Sequence, residues 1–263
     1  LLGSGIGTGA YDNFYDTIND ANLLINGIEE GVIPEARANK LEAEGRFIRA
    51  LVYHHAARIF GYEPGMTPNS GAGSGFDLSV ELRLEPTTAL QDAESLARST
   101  AAEVYDQLVT DLETATSLFS NLPAEEVEGS PFFPSAAAAQ ALLARVHLYQ
   151  QAYSPADQAA QNAIDLAGGT FGSQLATPSQ IGNIFDETAG NPEAIFTIDT
   201  DPSTESAGVN NALSAYTSEQ WLAQIPSEAL MSLYEEGDAR VDAWYGAPCI
   251  NDVTGSAAPP AHR

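Results

Sequence analysis

The chain has 263 residues, long enough for one large domain or two ordinary ones, and its 44% hydrophobic content is enough to build a core. Thirty-six acidic residues against ten basic ones give a formal net charge of −26, which repels phosphate backbones and anionic membrane surfaces and excludes nucleic-acid binding. No apolar run of about 18 residues is present to span a bilayer as a helix, and the single cysteine, Cys249, excludes an internal disulfide and a multi-cysteine metal site.

The opening glycines, Gly3, Gly5, Gly7 and Gly9, suggest a phosphate loop, but no strand precedes them and the required lysine is missing, so they read as a flexible loop. From 11 to 30, Phe14, Ile18, Ala21, Ile25 and Ile28 recur at three- and four-residue steps, which predicts an amphipathic helix stopped by Gly31. Pro34 opens a second helix over 35–60, with Leu41, Ile48, Leu51, Val52, Ile59 and Phe60 expected on its buried side. Arg58 suits its C-terminal dipole, Gly61 supplies the stop, and Glu42 and Arg46 make a surface pair. The Gly- and Pro-rich stretch 61–90 is a long loop with an extended piece expected at 82–84, and a loop of that length belongs to a site or lies against another domain.

Thr100 and Glu103 form a capping-box pattern ahead of a third helix that ends before Pro123. Ser135 caps a fourth from Ala136 to about Gln151, and Ser154-Pro155 starts a fifth that stops at Gly168-Gly169. The last two have the length of a tetratricopeptide repeat, with Ala144, Ala156 and Ala163 at its small-residue positions; Gln140, His147 and Ala160 stand where the larger ones belong. Beyond 170, alternating Ile195, Thr197 and Ile198 predict a short strand within 193–200, and 201–220 is polar and loop-like. Ser227 caps a short helix stopped by Gly237, and the chain from Trp244 on reads as coil. The fold class expected is mainly α: a tetratricopeptide-like scaffold over 11–167, an irregular loop-rich part over 168–263 within one domain, and a few short strands.

No pattern isolates a catalytic pair from the many carboxylates, and no cofactor is expected. Gly71–Gly75 is not a nucleophile elbow, because Ala72 replaces the glycine two residues before Ser74. Asp199 and Asp201 come nearest to a calcium cluster, but no EF-hand loop follows, so no metal is expected. Adjacent His54 and His55 point about 100° apart and cannot chelate one ion, while His147 reads as a packed core or rim residue. Tyr216 and Trp221 are the candidate ligand contacts, since a sugar's apolar face stacks on such rings and Asn210, Asn211, Ser214, Ser218 and Gln220 suit its hydroxyls. The competing reading is that Trp221 opens a helix and packs inward. Excess carboxylate with one lysine, Lys40, fits a protein kept soluble in concentrated salt; ordinary acidity aiding solubility is the alternative.

Several segments, in order, resemble the SusD/RagB family of nutrient-binding outer-membrane lipoproteins. Tyr15, Ile18, Ala21 and Asn22 are similar to the family's first helix, and the run from Leu41 to Ala50, with Tyr53 and Phe60–Pro64, to its most distinctive helix and turn. Val104-Tyr105, Asp111-Leu112 and Ala115 resemble the next segment, Ala138–Tyr149 the one after, and Ile184-Phe185, Glu193, Ile195-Phe196 and Asp238–Arg240 the later ones. The resemblance implies a right-handed helical scaffold with a loop-rich subdomain, lipid-anchored on the outer membrane over a TonB-dependent SusC-type transporter, binding glycans or related nutrients without cleaving them. It adds Tyr11 as a third candidate contact, near where members carry an aromatic before the first helix. The lipidated cysteine and much of the family's C-terminal portion are absent from these residues, so both ends of a longer protein are expected to lie outside them. A helical-repeat protein adaptor and a glycoside hydrolase are the alternatives; an adaptor would dock a peptide and ignore sugar, and a hydrolase would turn its substrate over.

Overall fold

The computed structural model describes residues 5–89, 95–168, 176–184, 191, 193–198 and 226–245. The chain divides into two compact units, Leu1–Ser173 and Gln174–Arg263.

The first unit is built from five helices: α1 (Gly5–Asn26), α2 (Glu35–Phe60), α3 (Ala101–Ser120), α4 (Ala136–Tyr149) and α5 (Tyr153–Leu166). Each packs chiefly on its neighbours in sequence, α1 on α2, α2 on α3, α3 on α4 and α4 on α5. The glycine-rich opening is not wholly a loop, because α1 already includes Gly5–Gly9. Once the amphipathic turns that follow have met the nucleation cost, each added residue contributes a hydrogen bond, and a few glycines at about 1 kcal/mol each are tolerated. At its other end α1 stops at Asn26 rather than near residue 30. Gly27 closes the last turn on the Leu23 carbonyl at 2.8 Å, where a β-carbon would sit 2.4 Å from that oxygen.

The second helix has the expected limits but a different buried side. Ala43, Phe47, Ala50, Tyr53, Ala56 and Ala57 are buried with Lys40, Arg49 and His54, while Leu41, Ile48, Leu51, Val52 and Phe60 are half-buried and Ile59 is 50% exposed. Held between α1 and α3, this helix presents small residues to two close neighbours, and its large aliphatics fall along the margins. Gly45 shows how close the approach is: a β-carbon there would lie 3.0 Å from the Ala21 carbonyl oxygen on α1.

Capping follows the sequence at α3 and α4. Thr100 and Glu103 exchange both bonds of the capping box, and the Ser135 hydroxyl accepts from the Ala138 amide. The fifth helix instead begins at Tyr153 behind Ala152, with no side-chain cap, so Ser154 is not its cap. Pro155 falls in the first turn, where a missing N–H leaves no bond unmade. The three-residue connection turns through Gln151, at φ 60°, and lets α5 pack Ala156, Ala159 and Ala163 against α4. Buried Gln140 ties this pair to α3, donating to Thr116 Oγ1 at 3.1 Å and accepting from Asn162 at 3.1 Å. His147 is half-buried at the rim, as expected, with Nδ1 3.0 Å from Gln150 Oε1.

Among the described residues there are no strands; a single antiparallel bridge pairs Leu78 with Thr100. The extended piece at 82–84 exists, but side chains of α1 and α2 take up its backbone groups in place of a neighbouring strand. The expected strand at 193–200 is absent over 193–198, where the chain bends at Ile195 and Phe196 and Ile198 is 74% exposed. Alternation alone does not make a strand without a partner edge and a face to bury.

The described part of the second unit is short. A 3₁₀ turn at Ile181–Asn183 touches a π-helical turn at Val241–Tyr245, so the stretch expected as coil from Trp244 on begins inside a helical turn. Ser227 caps α6 (Glu228–Met231), as expected, through the Leu230 amide at 3.1 Å. The hydroxyls of Tyr234 and Tyr245 meet at 2.9 Å.

Candidate ligand-binding site

The long loop after α2 returns to the helices as a strap, residues 81–87, bent at Glu85 and held by side chains of α1 and α2. Three asparagines of α1, at positions 19, 22 and 26, share one helix face and hold it. Asn19 donates to the Thr87 carbonyl at 3.4 Å and accepts from the Thr87 amide at 2.7 Å, so one side-chain amide does the work of a paired strand residue. Asn22 donates to the carbonyls of Arg83 and Glu85 at 3.0 and 3.2 Å, and Asn26 to that of Leu84 at 3.0 Å. From α2, the Tyr53 hydroxyl donates to the Arg83 carbonyl at 3.0 Å and accepts from the Arg83 amide at 2.7 Å. Buried backbone groups need partners, and these side chains supply them.

A buried ion pair sets the middle asparagine, Asn22, in place. Arg49 Nε and Nη2 donate to the two Asp111 oxygens at 2.8 and 2.6 Å, a bidentate geometry, and Nη1 donates to Asn22 Oδ1 at 2.8 Å. Arg46 joins the same carboxylate at 3.1 Å and also holds Glu42 at 2.8 Å, so the expected surface pair belongs to a larger network. Arg49 and Asp111 are both nearly solvent-free, and removing either partner from such a pair costs about 3–5 kcal/mol.

The strap begins at a tyrosine cluster. Tyr11 Oη donates to Glu81 Oε2 at 2.5 Å; Tyr15 Oη donates to the Glu81 carbonyl at 2.8 Å and lies 3.0 Å from Oε2. The Tyr11 ring lies 4.6 Å from that of Tyr15 and meets Phe60 edge-on at 5.5 Å. Burial raises the pKa of both tyrosines. Burial also pushes the Glu81 carboxyl up, but its hydrogen bonds, first among them the one from Tyr11, and Arg98 outweigh this and leave it below the usual range. It is therefore an acceptor at neutral pH, not an acid.

Beside this cluster, between α1 and the strap, is a cleft of about 300 Å³. Tyr15, Asp16, Asn19, Arg83, Glu85 and Thr87 line it, over buried Ile18 and Asn22. Its amides are taken up by the strap, which leaves the Asp16 and Glu85 carboxylates as the acidic groups at its wall, and the volume is at the small end for ligand sites. Among the described residues, no group of three or more His, Cys, Asp or Glu is placed to hold a metal ion.

Of the residues singled out from sequence, Tyr11 stands at the edge of this site, half-buried. Tyr216 and Trp221, with the amides and hydroxyls around them, lie outside the described residues, as do Asp199, Asp201 and Cys249. Sequence reasoning gave the strap only as an extended piece at 82–84, and missed the asparagine face and the cleft. The spacing of Asn19, Asn22 and Asn26 was the available signal, a polar stripe beside the apolar face of α1.

A family profile, SusD-like, described as starch-binding and associating with outer membrane, matches residues 6–148. Among curated relatives, "SusD-like protein P2" of Formosa agariphila is 27% identical over 252 residues, covering 90% of this chain and 44% of the relative. Two solved structures share the fold. A SusD superfamily protein of Bacteroides thetaiotaomicron matches with a TM-score of 0.65 and 24% identity over 94% of this chain and 56% of its own. A SusD-like carbohydrate binding protein of Bacteroides vulgatus matches with a TM-score of 0.68 and 19% identity over 90% and 47%. This chain thus spans about half the length of these relatives. With the profile covering more than half of its residues, the chain belongs to the SusD-like family.

Proposed function

We propose that the protein binds a neutral oligosaccharide or similar nutrient at the cell surface and passes it to a TonB-dependent transporter of the SusC type, without transforming it. The observation that carries this reading is membership of the SusD-like family across residues 6–148, and the carbohydrate binding named for the Bacteroides vulgatus relative supports the ligand class. In this reading the protein is held at the outer membrane by a lipid anchor elsewhere in its chain. Tyr216, Trp221 and Tyr11 are the aromatic candidates for contact with the sugar, each to be tested by itself. The charge of −26 disfavours polyanionic sugars.

Calorimetry of the full-length protein against maltoheptaose and other neutral glycans, followed by chromatography after long incubation, tests the proposal. Saturable binding with no new product is expected. Losing one stacked ring costs about 0.5–1.5 kcal/mol beyond lost area, so Trp221→Ala or Tyr216→Ala should weaken binding severalfold. Cleaved product would make the protein a hydrolase, and peptide binding without glycan binding would make it an adaptor.

A further inference from the structure

We infer that a bound glycan is also contacted by an aromatic platform, Tyr62 and Phe76, at the base of the loop that follows α2. This rests on the glycan-binding reading above and adds a contact surface to it.

The two rings meet edge to face, with centroids 6.1 Å apart and planes at 74°. Tyr62 is 40% exposed and Phe76 38%, and Met66 of the same loop 57%. Large side chains normally leave water when they can, and here the loop holds them at the surface. The cause is an anchorage that fixes both feet of the loop. At the first foot, Gly61 closes α2 so near Ser79 that a β-carbon would lie 2.6 Å from its hydroxyl. At the second, residues 77–80 bond to 99–101 through Ser79 N to Ser99 O, Ser99 N to Val80 O and Ala101 N to Asp77 O, at 2.7, 3.0 and 2.7 Å.

Arg98 holds Phe76 from one side. Its guanidinium carbon is 5.3 Å from the centroid of Phe76, while its N–H groups donate to the carbonyls of Phe60, Leu78 and Ser79. A cation so held leaves Phe76 little rotational freedom, so placing a ligand against its exposed part loses little side-chain entropy. Between the rings the loop is laced by its own backbone, Gly75 N to Pro68 O at 2.9 Å and Phe76 N to Gly73 O at 3.0 Å. Gly73, at φ 96°, lies near the first ring: a β-carbon there would stand 4.0 Å from the Tyr62 hydroxyl. In the same loop, Asn69, Ser70 and Ser74 are exposed and offer amide and hydroxyl groups. Exposed rings in a loop that also carries exposed amides and hydroxyls suit a pyranose, apolar on its C–H face and polar at its rim, and the flanking Glu63 and Asp77 disfavour an anionic one. A purely apolar protein partner would leave those amides and hydroxyls unpaired.

The test uses the full-length protein with maltoheptaose, laminarihexaose and xylohexaose as probes. Tyr62→Ala should weaken the bound glycan roughly 2- to 12-fold, and Tyr62→Phe, which keeps the ring, should stay near wild type. Tyr62→Trp places a fluorophore on the platform, and its emission should shift as the glycan saturates. Unchanged affinity in Tyr62→Ala, or steady emission from the introduced indole while calorimetry records binding, would overturn the platform and leave the glycan function standing. No binding of any of the three probes by wild type would overturn both.

Discussion

His54 is 1% exposed between Tyr149 and Tyr105, whose rings lie 5.0 and 6.0 Å from its own, and its Nε2 has no hydrogen-bond partner among the described residues. Burial first, then the nearby His55, Arg58 and Arg145, lower its pKa from 6.5 to about 4. Between those two values the unfolded chain takes up a proton that the folded chain refuses. Stability from this residue is therefore whole above about pH 6.5 and falls as pH drops toward 4, by up to about 3 kcal/mol. His54→Phe fills the same aromatic slot without a titrating group. Denaturant unfolding of both proteins across this range should show the wild type losing stability that the variant keeps; parallel curves would mean His54 titrates normally. Charged side chains on α2 also show where residue-level reading failed. Lys40 and Arg49 are buried, against the usual rule, because Glu128 stands 2.8 Å from one and Asp111 2.6 Å from the other. Their partners lie 88 and 62 positions away, a distance over which periodicity carries no information.

At the scale of elements, the helices were legible wherever local chemistry decides: the repeat at 14, 18, 21 and 25, the Thr100–Glu103 box, and the Ser135 and Ser227 caps. Tertiary contact decided the rest. The buried side of α2 follows its two neighbours and runs through Ala43, Ala50 and Ala57, seven residues apart, a small-residue stripe that a search for large aliphatics passes over. The strap was legible only as an extended piece, since its ladder is made of asparagine and tyrosine side chains 30 or more positions away. This arrangement makes the strap separable from the helices. Tyr53→Phe deletes the hydroxyl that serves both backbone groups of Arg83, while Asn22 still serves the carbonyl. The expected cost is about 1–2 kcal/mol. Amide exchange at Arg83 should speed up more than at the central amides of α2. Equal acceleration at both would mean the strap and helices open as one unit.

Across the whole molecule acids outnumber bases by 36 to 10, and among the described residues several of the cations are already engaged. Arg46 and Arg49 hold Asp111, Lys40 holds Glu128, Arg98 is bound to three carbonyls, and Arg58 lies 4.9 Å over the Tyr149 ring. Thirty-six acids therefore repel one another with little compensation at the surface. The range of that repulsion shrinks from about 30 Å at 0.01 M salt to about 3 Å at 1 M, so added salt relieves a term that opposes the compact state. The exposed pair of Arg37 and Glu126, 3.5 Å apart, is screened as well, but such pairs contribute at most about 1 kcal/mol. The buried Arg49–Asp111 pair is largely beyond the reach of ions. The balance favours stabilisation, and the melting temperature should climb steadily as potassium chloride is raised across this range. Chloride at these concentrations is a weak agent on apolar hydration, and repeating the titration at about pH 4, where many carboxyls are neutral, should remove most of the rise. A flat or falling curve at neutral pH would show that the acids are too dispersed to strain the fold, and their excess would then serve solubility alone.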